Sequence, residues 1–148
     1  MSQSLMMIYV HLVFSTRERR NLLRKEDLCR LYPYMSRILQ TTGCTPLRIG
    51  GTTNHVHVLF IMSKTETLPQ IIKALKTKTT LWLKTVAPFY RLFSWQGGYG
   101  AFSVSKSVVH RVISYIDNQE EHHRKKTFEE ELREIYERVG IPFNVEYI

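Results

Sequence analysis

The chain has 148 residues, 43% hydrophobic and 23% charged, the balance of one soluble globular domain long enough to bury a core. No apolar run approaches the ~18 residues of a membrane span, residues 1–7 lack the charged-then-apolar pattern of a secretory signal, and Cys29 and Cys44 are too few for a disulfide scaffold or a cysteine zinc cluster. Charge is uneven within the net +8: residues 1–111 carry 16 Lys+Arg against 4 Asp+Glu, a net +12, while residues 112–148 carry 5 against 9, a net −4.

Residues 8–15 (Ile-Tyr-Val-His-Leu-Val-Phe-Ser) are rich in β-branched and aromatic side chains and predict a first strand. A basic turn follows, with Arg17, Arg19, Arg20, Arg24 and Lys25. Residues 26–42 predict a helix stopped by Gly43, and residues 47–51 a short strand. The turn Gly50-Gly51-Thr52-Thr53-Asn54 leads into residues 54–62 (Asn-His-Val-His-Val-Leu-Phe-Ile-Met), a strand expected to pair antiparallel with the one before it.

Residues 67–87 predict a helix ended by Pro88, with Leu68, Ile71, Ile72, Leu75, Trp82, Leu83 and Val86 on its core side. Lys73, Lys76, Thr77, Thr80 and Lys84 fall opposite, as a solvated face or, beside a nucleic acid, a phosphate track. Residues 93–104 mix strand formers with Gly97, Gly98 and Gly100 and predict a last strand entered through a flexible loop. Ser105 can cap a helix over 106–121. Thr127-Phe128-Glu129-Glu130 opens a final helix running to Val139, where Gly140 and Pro142 stop it. The order β-α-β-β-α-β plus two helices predicts a single α+β domain over 1–148. It is a ferredoxin-like, RRM-like split β-α-β antiparallel sheet with helices on one face and a C-terminal tyrosine-bearing helix.

Alternation along a strand puts His55 and His57 on one face, at a spacing that lets two imidazoles close on one divalent cation. On the helix over 106–121, Val108, Val109, Val112, Ile113 and Ile116 form the apolar side. Tyr115 borders that side and Gln119 lies one turn on, near Arg111 and His122. Packed beside the histidine strand, this helix would make His55, His57 and Gln119 three neutral ligands. Such a set leaves the ion's double charge free to polarise a phosphate oxygen.

Tyr115 would then attack phosphorus. A free phenol has a pKa of about 10, so its phenolate is scarce by roughly a thousandfold at pH 7, a deficit that a nearby cation and Arg111 can offset in part. A phosphotyrosine conserves the phosphodiester's energy, which suits cutting and rejoining nucleic acid without ATP. Alone, a His-x-His pair is often incidental and a tyrosine bordering an apolar face is usually core. His11, His110 and His123 read as structural or surface residues.

The stretches His11-Leu12-Val13-Phe14-Ser15-Thr16, Asn54-His55-Val56-His57, residues 95–105 and Tyr115-Ile116-Asp117-Asn118-Gln119-Glu120-Glu121-His122-His123 together resemble the HUH single-tyrosine transposases of the smallest bacterial insertion sequences. The resemblance runs from about residue 8 to residue 131. It implies a nuclease that binds single-stranded DNA with hairpins at the element's ends and leaves a 5′-phosphotyrosine and a free 3′-hydroxyl, with Mg2+ or Mn2+ as cofactor. It also implies Tyr115 as nucleophile, His55, His57 and Gln119 as metal ligands, and a homodimer, with the site completed within one chain or across two.

Arg17, Arg19, Arg20, Lys73, Lys76, Lys84 and Arg111 become candidate contacts to DNA phosphates, and the basic charge predicts binding that weakens with salt. Trp95, Tyr99 and Phe102 could stack on bases or pack in the core. The cysteine content and the lack of a span or signal fit a cytoplasmic protein with no membrane partner. A competing reading is a non-catalytic binder of structured single strands, RRM-like or a domesticated inactive transposase. A third, a phosphoesterase with two histidine motifs, is disfavoured because no second His-x-Thr or His-x-Ser pair is present.

Overall fold

Large apolar residues alternating with histidines and small residues make Tyr9–Ser15 (β1) and His55–Ile61 (β3) the central strands of a four-stranded antiparallel sheet. The computed structural model describes residues 3–142 and 144. Thr45–Gly51 (β2) and Gly100–Val104 (β4) are the edges, in the order β2-β3-β1-β4, the expected ferredoxin-like order. The register sets Val13 opposite His57, Ser15 opposite His55 and Gly50 opposite His57.

Both faces of the central strands are covered. Val10, Leu12, Phe14, Val56, Val58 and Phe60 join the main core beneath Leu28–Thr41 (α1) and Leu68–Val86 (α2). Thr67 caps α2 through a capping box: Gln70 N–H donates to its hydroxyl (3.3 Å) and its own N–H donates to Gln70 Oε1 (2.8 Å). The opposite face carries His11, Val13, His55 and His57. There Val13 packs with Phe128, Leu132 and Tyr136 of Phe128–Val139 (α5). Thr127 caps α5, and Gly140 ends it at φ +77°.

The structure corrects three expectations of the fold. The helix over 106–121 is not continuous: a 3-10 turn, Lys106–Val108, leads into Val109–Asp117 (α3), and Asn118 breaks the run before Gln119–Lys125 (α4). Asparagine, which competes with helical bonding, takes φ −100°, ψ 19° there. Ser105 offers no side-chain cap; its carbonyl accepts from Val108 N–H at 3.0 Å instead.

Residues 93–99 do not extend β4. Trp95 bridges to Thr16, donates its Nε1–H to Thr79 Oγ1 (2.9 Å) and packs edge-on against Phe14. Backbone bonds from Arg17 N–H to the Ser94 carbonyl (3.1 Å) and from Gln96 N–H to the Ser15 carbonyl (2.9 Å) flank that bridge, and Lys76 Nζ binds the carbonyls of Gln96 (2.8 Å) and Gly98 (2.6 Å) beyond it. Trp95 is thus core, and Tyr99 and Phe102 pack partly buried against the two cores. Cys29 is exposed and Cys44 buried, both free thiols. No helix among the described residues is long and apolar enough to cross a membrane.

Candidate active site

β3 delivers His55 and His57 fully buried to the face covered by α3, α4 and α5. The approach of α3 is set by Gly50: a Cβ there would lie 2.8 Å from both Ile116 Cγ2 and the Ile116 carbonyl oxygen. Only glycine leaves room for that backbone contact. The close contact brings Tyr115 over His57, ring centroids 5.5 Å apart, and Gln119 Oε1 to 2.9 Å from His55 Nε2. The structure therefore brings together the four residues read from the sequence, His55, His57, Tyr115 and Gln119, and does so within one chain.

Further groups join them. His11 Nε2 lies 2.8 Å from His57 Nδ1, the first contact in a chain that fixes the ring. Burial, with the neighbouring His57, lowers the His11 pKa to about 3, so its imidazole is neutral. His123 Nε2 lies 3.0 Å from Gln119 Oε1, and its Nδ1–H donates to the Lys126 carbonyl at 2.8 Å. His11 and His123 are thus part of the site and not the structural or surface residues expected; the alternation that grouped His55 with His57 also places His11 on that face once the β1/β3 register is known.

The largest omission is Glu131, on α5. It is 1% exposed. Its Oε1 sits 3.1 Å from His57 Nε2 and 3.6 Å from His55 Nε2. Its Oε2 accepts from the Tyr115 hydroxyl and from Gln119 Nε2 (3.2 Å). The same oxygen faces His122 (3.2 Å) and His123 (3.3 Å). A trace existed in the sequence: Glu131 falls on the stripe Phe128, Leu132, Ile135, Tyr136, a carboxylate on an apolar helix face. Burial alone would raise its pKa, but the facing His123 and His57 imidazoles outweigh that and hold it well below the usual carboxylate range.

Tyr115 is pushed the other way. Burial, then the Glu131 charge, raises the phenol above its ordinary value, and the nearby cation opposing this is Arg138, not the expected Arg111. In this conformation the tyrosine is a protonated donor to a carboxylate. A 650 Å³ cavity between β4, α3 and α5 reaches it, lined by Phe102, Arg111, Val112, Tyr115, His122 and Arg138.

The donor set fits a divalent cation. His55 Nδ1–H donates to Asn54 Oδ1 (2.8 Å), an orientation set by Asn54 Nδ2–H donating to the Arg19 carbonyl (3.2 Å). Burial, with His57 nearby, lowers the His55 pKa well below its ordinary value, so the ring is neutral. Its Nε2 lone pair therefore meets the Gln119 Oε1 lone pair, a contact a cation would relieve. His122 Nε2, although 3.2 Å from Glu131 Oε2, makes no aligned hydrogen bond there. The Nε2 atoms of His55 and His57 and a Glu131 oxygen all lie within 4.8 Å of one another.

The proposed DNA contacts divide. Arg17, Arg20, Lys73, Lys84 and Arg111 are exposed. Arg17–Arg20 form a turn beside His55: Thr16 N–H donates to the Asn54 carbonyl (2.9 Å), and Asn54 holds the Arg19 carbonyl. Arg19 pairs with Glu129 (3.6 Å) and Arg20 with Glu18 (2.7 Å). Lys76 is committed to the loop carbonyls.

The sequence pattern of the IS200-like transposase family matches residues 4–119. No curated protein matches. Among solved structures, the fold is similar to that of a candidate transposase from Deinococcus radiodurans R1, at 21% identity and TM-score 0.62, covering 80% of this chain and 98% of that one. It is also similar to a REP-associated tyrosine transposase bound to a REP hairpin, at 12% identity and TM-score 0.61, covering 83% and 74%. At these identities the likeness establishes the fold.

Proposed function

The chain belongs to the IS200-like transposase family, whose members cleave DNA, and we propose that it cuts and rejoins single-stranded DNA bearing hairpins through a 5′-phosphotyrosine on Tyr115. The observation that carries this is the convergence of Tyr115, Gln119, His55 and His57 in one buried cluster. His55, His57 and Gln119 would hold Mg2+ or Mn2+, which when bound withdraws charge from a phosphate oxygen.

The residues supply the rest. The Tyr115 oxygen, oriented by its hydrogen bond to Glu131 Oε2, attacks phosphorus, the phosphorus–O3′ bond breaks, and the phenolic proton ends on the 3′-hydroxyl that leaves. Rejoining runs the same steps backwards with another 3′-hydroxyl. A strand reaches Tyr115 through the cavity beside Arg111 and Arg138, while Arg17, Arg20, Lys73 and Lys84 meet phosphates of the hairpin stem. Hairpin recognition draws support from the REP-hairpin-bound neighbour. A homodimer in the cytoplasm is the expected assembly, although one chain carries every group named above.

Labelled hairpin DNA incubated with the protein and Mn2+ should yield a covalent adduct on a denaturing gel. Tyr115→Phe should abolish the adduct and leave hairpin binding intact. Binding with no adduct, across a range of hairpin-flanking sequences, would favour the non-catalytic binder. The burial of His55 and His57 beneath α5 is the observation on that reading's side.

A further inference from the structure

Residue 131 lies twelve positions beyond the 4–119 span that matches the family, so nothing in that match assigns it a role. We propose that Glu131 is itself a ligand of the metal centre, making it a two-histidine, one-carboxylate site closed by α5. This rests on the metal-dependent reading above and goes beyond its neutral donor set.

Spacing supports it first. Ligands about 2.1 Å from a common ion stand roughly 3.0–3.4 Å apart in octahedral or tetrahedral arrangements. Glu131 Oε1 is 3.1 Å from His57 Nε2 and 3.6 Å from His55 Nε2, and His55 Nε2 is 2.9 Å from Gln119 Oε1. The carboxylate oxygen stands at ligand spacing from His57 and slightly beyond it from His55, a gap that side-chain torsions close without rearrangement of the backbone.

Charge supports it second. A buried carboxylate is retained in proteins when it is paired with a cation or coordinates a metal. The basic side chains within ion-pair distance of Glu131 among the described residues are all histidines, namely His55, His57, His122 and His123, which carry charge only when protonated. No lysine or arginine among the described residues supplies a permanent positive charge to that carboxylate in an ion pair. A divalent ion does so, and the carboxylate in turn cancels half of the ion's charge.

Location supports it third. Phe128 stacks on the His55 ring, centroids 3.9 Å apart at 14°, while Leu132 and Tyr136 anchor the same helix on Val13. α5 is therefore packed so that its single inward carboxylate meets the histidines. Mixed imidazole and carboxylate donors suit Mn2+ better than Mg2+, which prefers oxygen and water ligands. With α5 tied to the ion, access to Tyr115 is left to the cavity between β4, α3 and α5.

The test is Mn2+ binding by the full chain, stripped with a chelator, followed by calorimetry and by the loss of the free Mn2+ paramagnetic signal. His57→Ala should lose binding; Glu131→Gln, which keeps shape and removes charge, should weaken it by about tenfold or more. If Glu131→Gln binds as the unaltered chain does while His57→Ala does not, the ligand assignment falls and the metal reading stands. If neither variant changes binding, both fall. Hydrogen exchange on the unaltered chain decides the matter even if Glu131→Gln fails to fold. Mn2+ should slow exchange of α5 amides, and unchanged or faster exchange at saturating Mn2+ overturns the proposal.

Discussion

His11 Nε2 meets His57 Nδ1 at 2.8 Å, which fixes what His57 can offer at its other nitrogen. For His57 Nε2 to present a lone pair to a cation, its Nδ1 must carry the proton and donate it to His11. His11, neutral because burial lowers its pKa to about 3, accepts that bond at Nε2 in the tautomer that carries its own proton on Nδ1. His11→Ala should therefore weaken Mn2+ binding by roughly 10–100-fold while His55 and His57 remain in place. Titrating the variant with Mn2+ checks this, and unchanged affinity would show that the ring needs no such orienting partner.

Gly50 governs the placement of the nucleophile from the far side of His57. A methyl group there would stand 2.8 Å from two atoms of Ile116, one of them backbone, so α3 rather than a flexible tip must yield. Gly50→Ala should cost about 1–3 kcal/mol of stability by overpacking. It should also suppress adduct formation more than hairpin binding, because Tyr115 rides on α3 while Arg17 and Arg20 do not. Urea unfolding and the denaturing-gel assay measure the two effects separately. Full cleavage in a destabilised Gly50→Ala would mean that α3 tolerates a shift.

The element order and the grouping of His55, His57, Tyr115 and Gln119 were legible because each rests on local periodicity: alternation in a strand, one turn in a helix. Glu131 and His11 were not, because their roles depend on register and on where α5 docks. His11 reaches His57 only because β1 pairs with β3 so that Val13 faces His57. The break at Asn118 was hidden by continuous helical patterning; its cause is the inward Gln119 and a residue willing to leave helical geometry. The lysine face of α2 shows the same limit, since the wheel cannot reveal that Lys76 turns aside to hold the Gln96 and Gly98 carbonyls.

A second buried polar cluster, centred on Asp27, contributes to the acid response alongside Glu131. Asp27, 2% exposed, accepts from Arg24 Nε (2.8 Å), from Arg30 (3.0 Å) and from the Tyr90 hydroxyl. Burial alone would raise its pKa, but the bonds from Arg24, Tyr90 and Arg30 hold it below the ordinary carboxylate value. A folded pKa below the unfolded one means stability that is present above the unfolded pKa, ~3.9, and lost as pH falls through the folded value. Asp27→Asn should cost about 2–3 kcal/mol at pH 7 and flatten the loss of stability below about pH 4. Chemical unfolding across pH 2–7 tests this, and an unchanged acid limb would remove Asp27 from the explanation.

The basic residues of α2 should separate by salt dependence. Lys73 and Lys84 are exposed, whereas Lys76 is half-buried over the Phe14 ring, 5.4 Å from its centroid, with Nζ held by two carbonyls. Burial lowers the Lys76 pKa to about 8. Its unfolded value is higher, so the unfolded chain binds the extra proton, and the contribution of Lys76 to stability rises with pH from about 8 towards ~10.5. A phosphate contact on a duplex stem releases about 0.9 counterion. Lys73→Gln and Lys84→Gln should each reduce the slope of log affinity against log salt for hairpin DNA by roughly that amount, with the thermal midpoint unmoved. Lys76→Met should do the reverse, changing stability and the anchoring of residues 96–98 while leaving the salt slope alone. A slope that drops with Lys76→Met and stays fixed with the other two would show that the strand lies across the glycine loop rather than along the outer face of α2.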